Sequence, residues 1–442
     1  MSAAPYRRAL PEAPARRGWC PGLARPMPTG DGLLARVHPP LGILTLDQAR
    51  AVAEGARRFG NGHLDLTARA NLQIRGVSEA TRAPLAAWLT AEGLGDVRAD
   101  GGPQRLTLTS PLAGRDPEEI IDVPALAAAI EAAGLSIPGL PAKTLVVVDG
   151  RGDWAIPEAD CAVIARGAGI VVIAAACDDG LQELLTCRAG EAARLVTALL
   201  TAFARTRRRR MRDLSRDELT ALTEPLRSDN SPYGASDRPG EHGGPLDAAA
   251  GQSLRTLIID APFGRCTADA LDRVAAAALA LKAREIRLST TRGFVLLAPP
   301  DTPTAATTAA LSEVFIVAPG DPRRAIDACT GAPGCASGST PTLADAARLA
   351  ETFAALAALG RAAHVSGCAK GCANPGPADL TLVGRNGLYG VVIGGAPGDE
   401  PAMDLPIEAV LERLGRAKTI GLSAAFAPET TRTVCGRTRR PA

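Results

Sequence analysis

Aromatic rings are scarce in this 442-residue sequence: three Trp, three Tyr and seven Phe make up 3% of it. Few surfaces are therefore left for stacking nucleic-acid bases. Lys and Arg number 49 against 47 Asp and Glu, so the formal net charge is only +2 and gives no electrostatic footprint for a polyanion. No apolar run reaches the length of a membrane-spanning helix. The opening MSAAPYRRALPEAPARRGW has no apolar centre, and the Arg pairs at 7–8 and 16–17 are not followed by one, so it does not read as a secretion signal. Histidine is nearly missing: His38, His63, His242 and His364 are the full set, with no local two-His-one-carboxylate spacing. Ten cysteines over this length are too sparse for a disulfide scaffold. These absences describe a soluble cytoplasmic protein with reduced thiols that engages neither nucleic acid nor membrane.

Four cysteines in the last third stand out. Cys329 and Cys335 are spaced C-x5-C, and Cys368 and Cys372 are spaced C-x3-C. Their surroundings, GAPGCASGS and HVSGCAKGCANPGP, are small and turn-prone, as backbone wrapping closely around inorganic sulfide must be. A [4Fe–4S] cluster fits this pattern best. Structural zinc prefers shorter spacings, and four unrelated thiols are the plain alternative. The other cysteines, Cys20, Cys161, Cys177, Cys187, Cys266 and Cys435, read as small buried or partly exposed residues.

Along the chain, residues 33–38 alternate as a strand that sets Arg36 and His38 on one face. Thr45 to Gln48 form a capping box opening a helical stripe that Gly60 ends. Leu64 to Arg75 read as one extended strand whose polar face carries Asp65, Thr67, Arg69, Asn71, Gln73 and Arg75; it is either a solvated surface or a pocket wall. Strands are expected at 143–149, 161–165 and 169–174, and helix at 181–206. Pro40-Leu-Gly42 recurs 222 residues later as Pro262-Phe-Gly264, Thr45 as Thr267, Leu66-Thr67 as Leu288-Ser289, and Pro111 as Pro333; Arg69 aligns with Arg292 after one insertion. The chain is thus a duplication, α+β in class, with two pseudo-equivalent halves related by a pseudo-two-fold axis. The polar stretch from the Arg run at 205–210 to residue 250 reads as the linker between halves, the Arg run being a solvated helix end.

The cysteine spacings resemble those of the sirohaem-dependent sulfite and nitrite reductase family. Leu66 to Gly76 is similar to the family motif T-x-R-Q-x-x-Q-[IL]-[RH]-G, departing at Ala70. The resemblance implies two pseudo-repeated halves, each a ferredoxin-like half-domain (31–80 and 251–310) followed by a reductase-type α/β domain (81–204 and 311–442), after a head segment (1–30) and around a linker (205–250). It implies a [4Fe–4S] cluster on the four cysteines. It also implies a tetrapyrrole pocket lined by Arg36, Arg69, Asn71, Gln73, Arg75, Arg105 and Lys143, with backbone N–H groups at Gly394 and Gly395. His38 stands where the reductases carry an anion-binding Arg or Lys, and Leu145 replaces an active-site lysine. The head Gly18 to Leu34 resembles a cobalamin-pathway branch of the family, whose tetrapyrrole is substrate rather than prosthetic group. That branch implies O2-dependent hydroxylation of precorrin-3A at C20, with a γ-lactone from the ring A acetate. It further implies a mononuclear non-haem iron of unassigned ligands, an electron donor, a monomer, and His38 at the oxygen chemistry. The alternatives are a reductase with bound sirohaem and a non-catalytic electron carrier.

Overall fold

The computed structural model describes residues 19–154, 158–228 and 254–427. Most of the head segment, His242, linker residues 229–250, and the tail with Cys435 lie outside the described residues. Two compact units divide the chain, one ending at Ala318 and the other beginning at Pro319.

The first unit opens with β1 (Met27–Thr29), β2 (Gly32–Val37), β3 (Ile43–Leu44), α1 (Leu46–Phe59), β4 (His63–Leu66), β5 (Leu72–Val77) and α2 (Glu79–Ala91). The capping box forms as expected: Gln48 N–H donates to Thr45 Oγ1 at 3.1 Å, and Thr45 N–H donates to Gln48 Oε1 at 3.0 Å. Next come β6 (Thr107–Thr109), α3 (Val123–Gly134), β7 (Val146–Asp149), β8 (Cys161–Gly167), β9 (Ile170–Cys177), β10 (Gly180–Arg188), α4 (Ala189–Arg205) and α5 (Arg216–Ser228). The unit closes with β11 (Arg255–Asp260), β12 (Arg265–Thr267), α6 (Ala268–Ala280), β13 (Ile286–Ser289), β14 (Gly293–Ala298) and α7 (Ala305–Ser312).

The duplication holds in three dimensions. Pro40–Gly42 and Pro262–Gly264 are matching 3-10 turns, with Leu41 at φ 52° and Phe263 at φ 55°. Each turn leads into a short strand that crosses to the other copy: β3 pairs with β13, and β12 pairs with β4. The two ferredoxin-like halves therefore share their sheets reciprocally, as a two-fold relation demands. Their helices and strands also share one apolar core, with α1 against α6.

Three expectations fail at this level. Residues 64–75 are not one strand but a hairpin: β4 pairs antiparallel with β5, Leu64 opposite Ile74 and Leu66 opposite Leu72. The loop at 67–71 happens to continue the polar-apolar alternation, which hides the turn. Its tip residue is Ala70, at φ 50°, and the matching position in the second copy is Arg292, at φ 64°. Arg292 is therefore the counterpart of Ala70, not of Arg69. Residues 181–188 are strand rather than helix. A β-bulge between Glu183 and Leu185 puts Leu184 and Leu185 side by side, giving apolar positions the spacing of a helix.

The second unit contains β15 (Ile326–Ala328), α8 (Thr342–Ala357), β16 (Ala363–Ser366), β17 (Ala378–Arg385), β18 (Leu388–Gly395), β19 (Met403–Leu405), α9 (Ile407–Ile420) and α10 (Leu422–Ala425). Its sheet runs β15-β16-β17-β18-β19, and that of the first unit's α/β domain runs β6-β7-β8-β9-β10. Each has two parallel joins followed by two antiparallel ones. No helix among the described residues is long and apolar enough to cross a membrane.

Candidate functional site

In the first unit, strand register builds a charged row. Arg36 on β2 faces Gln73 on β5, Gln73 faces Asp65 on β4, and Asp65 faces Arg265 on β12. The Gln73 carboxamide oxygen, turned toward Arg36 as its neighbours require, accepts from Nε at 3.1 Å and Nη2 at 2.6 Å. Arg69 leaves the hairpin tip and donates from Nη1 to the Lys143 carbonyl at 3.0 Å. Arg36, Arg69 and Lys143 have no carboxylate partner among the described residues. Burial pulls the Arg69 guanidinium below its ordinary value, with the charge of Arg210 adding to the effect. Lys143 is lowered by burial and by Arg69, Arg210 and Arg36, against an opposing effect of Cys20. Asp160, which pairs with Arg210, is the acid that acts against the lowering at Arg69, and cations grouped in this way can take an anion.

His38 follows β2 directly. Burial first, then Arg36 and Arg105, hold its imidazole well below the usual histidine value. It is therefore neutral at pH 7, the form that can accept a hydrogen bond or ligate. Asn71 is 5% exposed, and its Oδ1 has no hydrogen-bond partner.

Two expected pocket cations have other work. Arg75 is 3% exposed and bridges two carboxylates: it reaches Asp31 at 2.5 Å and Asp65 at 3.3 Å, and Asp65 also takes Arg265 at 2.6 Å. Its charge is spent inside a four-group network. Arg75→Ala should therefore cost about 3 kcal/mol of stability by taking the cation from the part-buried Asp31 and leaving Asp65 with Arg265 alone, while tetrapyrrole affinity stays within about twofold. Denaturant melts beside fluorescence titrations check this; lost affinity at unchanged stability would return Arg75 to the pocket. Arg105, 8% exposed, donates to the carbonyls of Pro39 (3.3 Å), Ala70 (2.8 Å) and Arg69. It is a strut holding the hairpin tip to the Pro39 turn, with its guanidinium pushed down to about 10 by burial.

The sequence reading missed Arg210 and Cys20. Arg210 is not solvated: it is 8% exposed, and its Nε lies 3.0 Å from the Asp160 carboxylate. Asp160 also accepts from Met211 N–H and Leu145 N–H, which ties the Arg run to the strand beside Lys143. A lone acid fifty residues upstream was the sole signal for this. Burial lowers the Arg36 guanidinium, and Cys20 acts against that.

In the second unit, the four cysteines sit on two loops, one after β15 and one after β16. Three glycines bring these loops together. A Cβ on Gly331 would lie 2.3 Å from Thr342 Oγ1, and one on Gly367 would lie 3.1 Å from Gly331 Cα and 3.2 Å from Gly338 Cα. Gly367 N–H donates to Cys329 Sγ at 3.1 Å. Burial raises the Cys368 thiol, and Cys335 and Cys329 push it further. Desolvation pushes Cys372 up to about 11, with Cys329, Cys368 and Cys335 adding to it. Cys368 and Cys372 would give up their protons to a cationic centre that binds them. Among the described residues, no three His, Cys, Asp or Glu side chains close on a single ion. Four thiols on two converging loops are a ligand set that could take an iron–sulfur cluster. Of the other described histidines, His63 is exposed and His364 is buried in β16.

Next to the Gly394-Gly395 turn lies an acid of the chain itself. Asp399 already accepts from Ala396 N–H at 2.8 Å, and a Cβ on Gly395 would meet that carboxylate at 2.7 Å.

The first unit's matching loops have the same lengths, at 110–122 against 329–341 and 150–160 against 367–377. Ser110, Asp116 and Arg151 therefore stand where Cys329, Cys335 and Cys368 stand, and Pro333 corresponds to Gly114 rather than Pro111. Arg151 lies 3.4 Å from Asp116, so an ion pair replaces two thiols. The loop at 110–122 instead lines a cavity of about 680 Å³, where burial pushes Glu119 up to about 7.

Residues 25–91 match the family model described as the nitrite/sulfite reductase ferredoxin-like half domain. A precorrin-3B synthase from Sinorhizobium sp is 36% identical over 420 residues, covering 91% of this chain and 88% of that one. The chain belongs to the precorrin-3B synthase family. Like that precorrin-3B synthase, it is an oxidoreductase, and its relatives place it in tetrapyrrole metabolism. Nitrite reductases stand further from this precorrin-3B synthase homologue: the ferredoxin–nitrite reductase of Synechococcus elongatus is 27% identical, over 84% of this chain and 79% of that one. A solved structure of the Mycobacterium tuberculosis NirA protein shares the fold, with TM-score 0.67 and 20% identity over 87% of this chain and 80% of that one.

Proposed function

We propose that this precorrin-3B synthase homologue hydroxylates precorrin-3A at C20 and closes a γ-lactone from the ring A acetate, a step of aerobic cobalamin synthesis in the cytoplasm. One oxygen atom of O2 enters the product; the other leaves as water with two electrons from a donor and two protons. The whole-length likeness to a precorrin-3B synthase carries this reading. The cations lacking carboxylate partners support it, because a tetrapyrrole ringed by carboxylates needs such partners.

Arg36, Arg69 and Lys143 bind the substrate's carboxylates, with Gln73 orienting Arg36 and Asn71 Oδ1 offering an acceptor. His38, neutral between Arg36 and Arg105, accepts or donates one hydrogen bond at the reacting edge. Cys329, Cys335, Cys368 and Cys372 hold a [4Fe–4S] cluster, which when bound delivers electrons singly. Cluster-bearing protein purified without added tetrapyrrole should lack a sirohaem absorption band and should bind precorrin-3A. Tightly bound sirohaem with nitrite or sulfite reduction would favour the reductase alternative.

A further inference from the structure

Asp160 is a buried acid set against the segment that carries Lys143. Leu145 N–H donates to its Oδ2 at 3.1 Å, and Asp160 N–H donates back to the Leu145 carbonyl at 2.9 Å. Two residues earlier, the Lys143 carbonyl holds Arg69 Nη1 at 3.0 Å. A buried carboxylate in this place would ordinarily take a cation in reach as its partner. Its charge does act on Arg69, against the lowering by burial. The carboxylate is nevertheless fully occupied by other groups. Arg210 Nε lies 3.0 Å from Oδ1 and 3.2 Å from Oδ2, and Met211 N–H donates to Oδ1 at 2.9 Å. Each oxygen thus accepts two contacts, which uses the roughly four acceptor sites of a carboxylate.

Arg210 is set apart from the rest of its run. Arg205, Arg207, Arg208 and Arg209 are exposed, and Arg208 pairs with Glu218 at 2.8 Å. Arg207 takes the left-handed conformation, at φ 59°, and turns the chain after α4. Asp178 N–H then donates to the Leu214 carbonyl at 2.9 Å, which docks the returning segment at the end of β9. This return carries Arg210 to Asp160. The Arg210 Nη2 is buried without a hydrogen-bond partner, so that nitrogen braces no other part of the chain. What Arg210 supplies is a counter-charge to one carboxylate. We propose that Arg210 is a positioning residue that keeps Asp160 from neutralising Arg69 and Lys143, and so leaves both for the substrate's carboxylates. This rests on the reading of those cations as the precorrin-3A site.

Turnover assays of the holoprotein with precorrin-3A, reductant and O2 test it, with circular dichroism reporting the folded fraction. Arg210→Gln keeps a donor but loses the charge. It should raise KM about tenfold and leave kcat within about twofold, the pattern of lost substrate binding. Arg210→Lys keeps the charge and should stay within about threefold of the wild-type KM. Adding Asp160→Asn to Arg210→Gln removes the competing acid and should bring KM back to within about threefold of wild type. A residue needed only for packing gives no such rescue, because the double variant would then lose more of the fold than either single one. An unchanged KM in folded Arg210→Gln, or a double variant no better than Arg210→Gln, overturns the inference alone. Where Arg210→Gln does not fold, Asp160→Asn by itself decides: a KM at or below the wild-type value supports the inference, and one raised about tenfold overturns it. A wild type that neither binds nor oxidises precorrin-3A overturns the functional reading and this inference with it.

Discussion

Cys368→Ser protein, purified without oxygen, should fall from about four iron atoms per chain to below about one, with acid-labile sulfide falling in step. Cys335→Ser should do the same from the other loop. A serine hydroxyl is a poor ligand beside thiolates, and its oxygen stays protonated where the sulfur would ionise on binding. The two loops also depend on each other. Gly331, Gly338 and Gly367 meet backbone to backbone, and the Gly367 N–H points at Cys329 Sγ. Weakening one corner therefore loosens the other three. Normal iron and sulfide in both variants would remove the cluster from these cysteines.

His38→Arg should abolish hydroxylation while the cluster stays intact and precorrin-3A still binds. An arginine adds a third guanidinium beside Arg36 and Arg105, whose charges add to the burial that holds His38 neutral. It can bind an anion, but it can neither accept a hydrogen bond nor ligate. The same environment predicts the pH behaviour. Because the folded-state value lies well below about 6.5, His38 loses no proton between pH 6.5 and 8, and kcat/KM should show no histidine step there. An active His38→Arg enzyme would show that the oxygen chemistry uses other groups.

What was legible in the sequence followed fixed spacing. The offset of 222 between Pro40-Leu-Gly42 and Pro262-Phe-Gly264 survived because both turns need the same unusual backbone, at Leu41 and Phe263. The four cysteines were legible because close loop packing leaves a glycine signature. The errors came where one pattern mimicked another. The loop at 67–71 kept a strand's alternation, and the bulge at Glu183 gave a strand a helix's spacing. Charge roles were the least legible. Arg75 and Arg105 look like Arg36 and Arg69 in sequence, and only Asp31, Asp65 and the carbonyls of Pro39 and Ala70 distinguish struts from pocket residues. Those partners lie up to 66 residues away, beyond any local motif.

The most direct measurement is mass analysis of precorrin-3A incubated with the holoprotein and reductant under 18O2. A product heavier by one 18O atom, absent under nitrogen, is the expected result. A product that forms without O2, or that takes its oxygen from water alone, would contradict it.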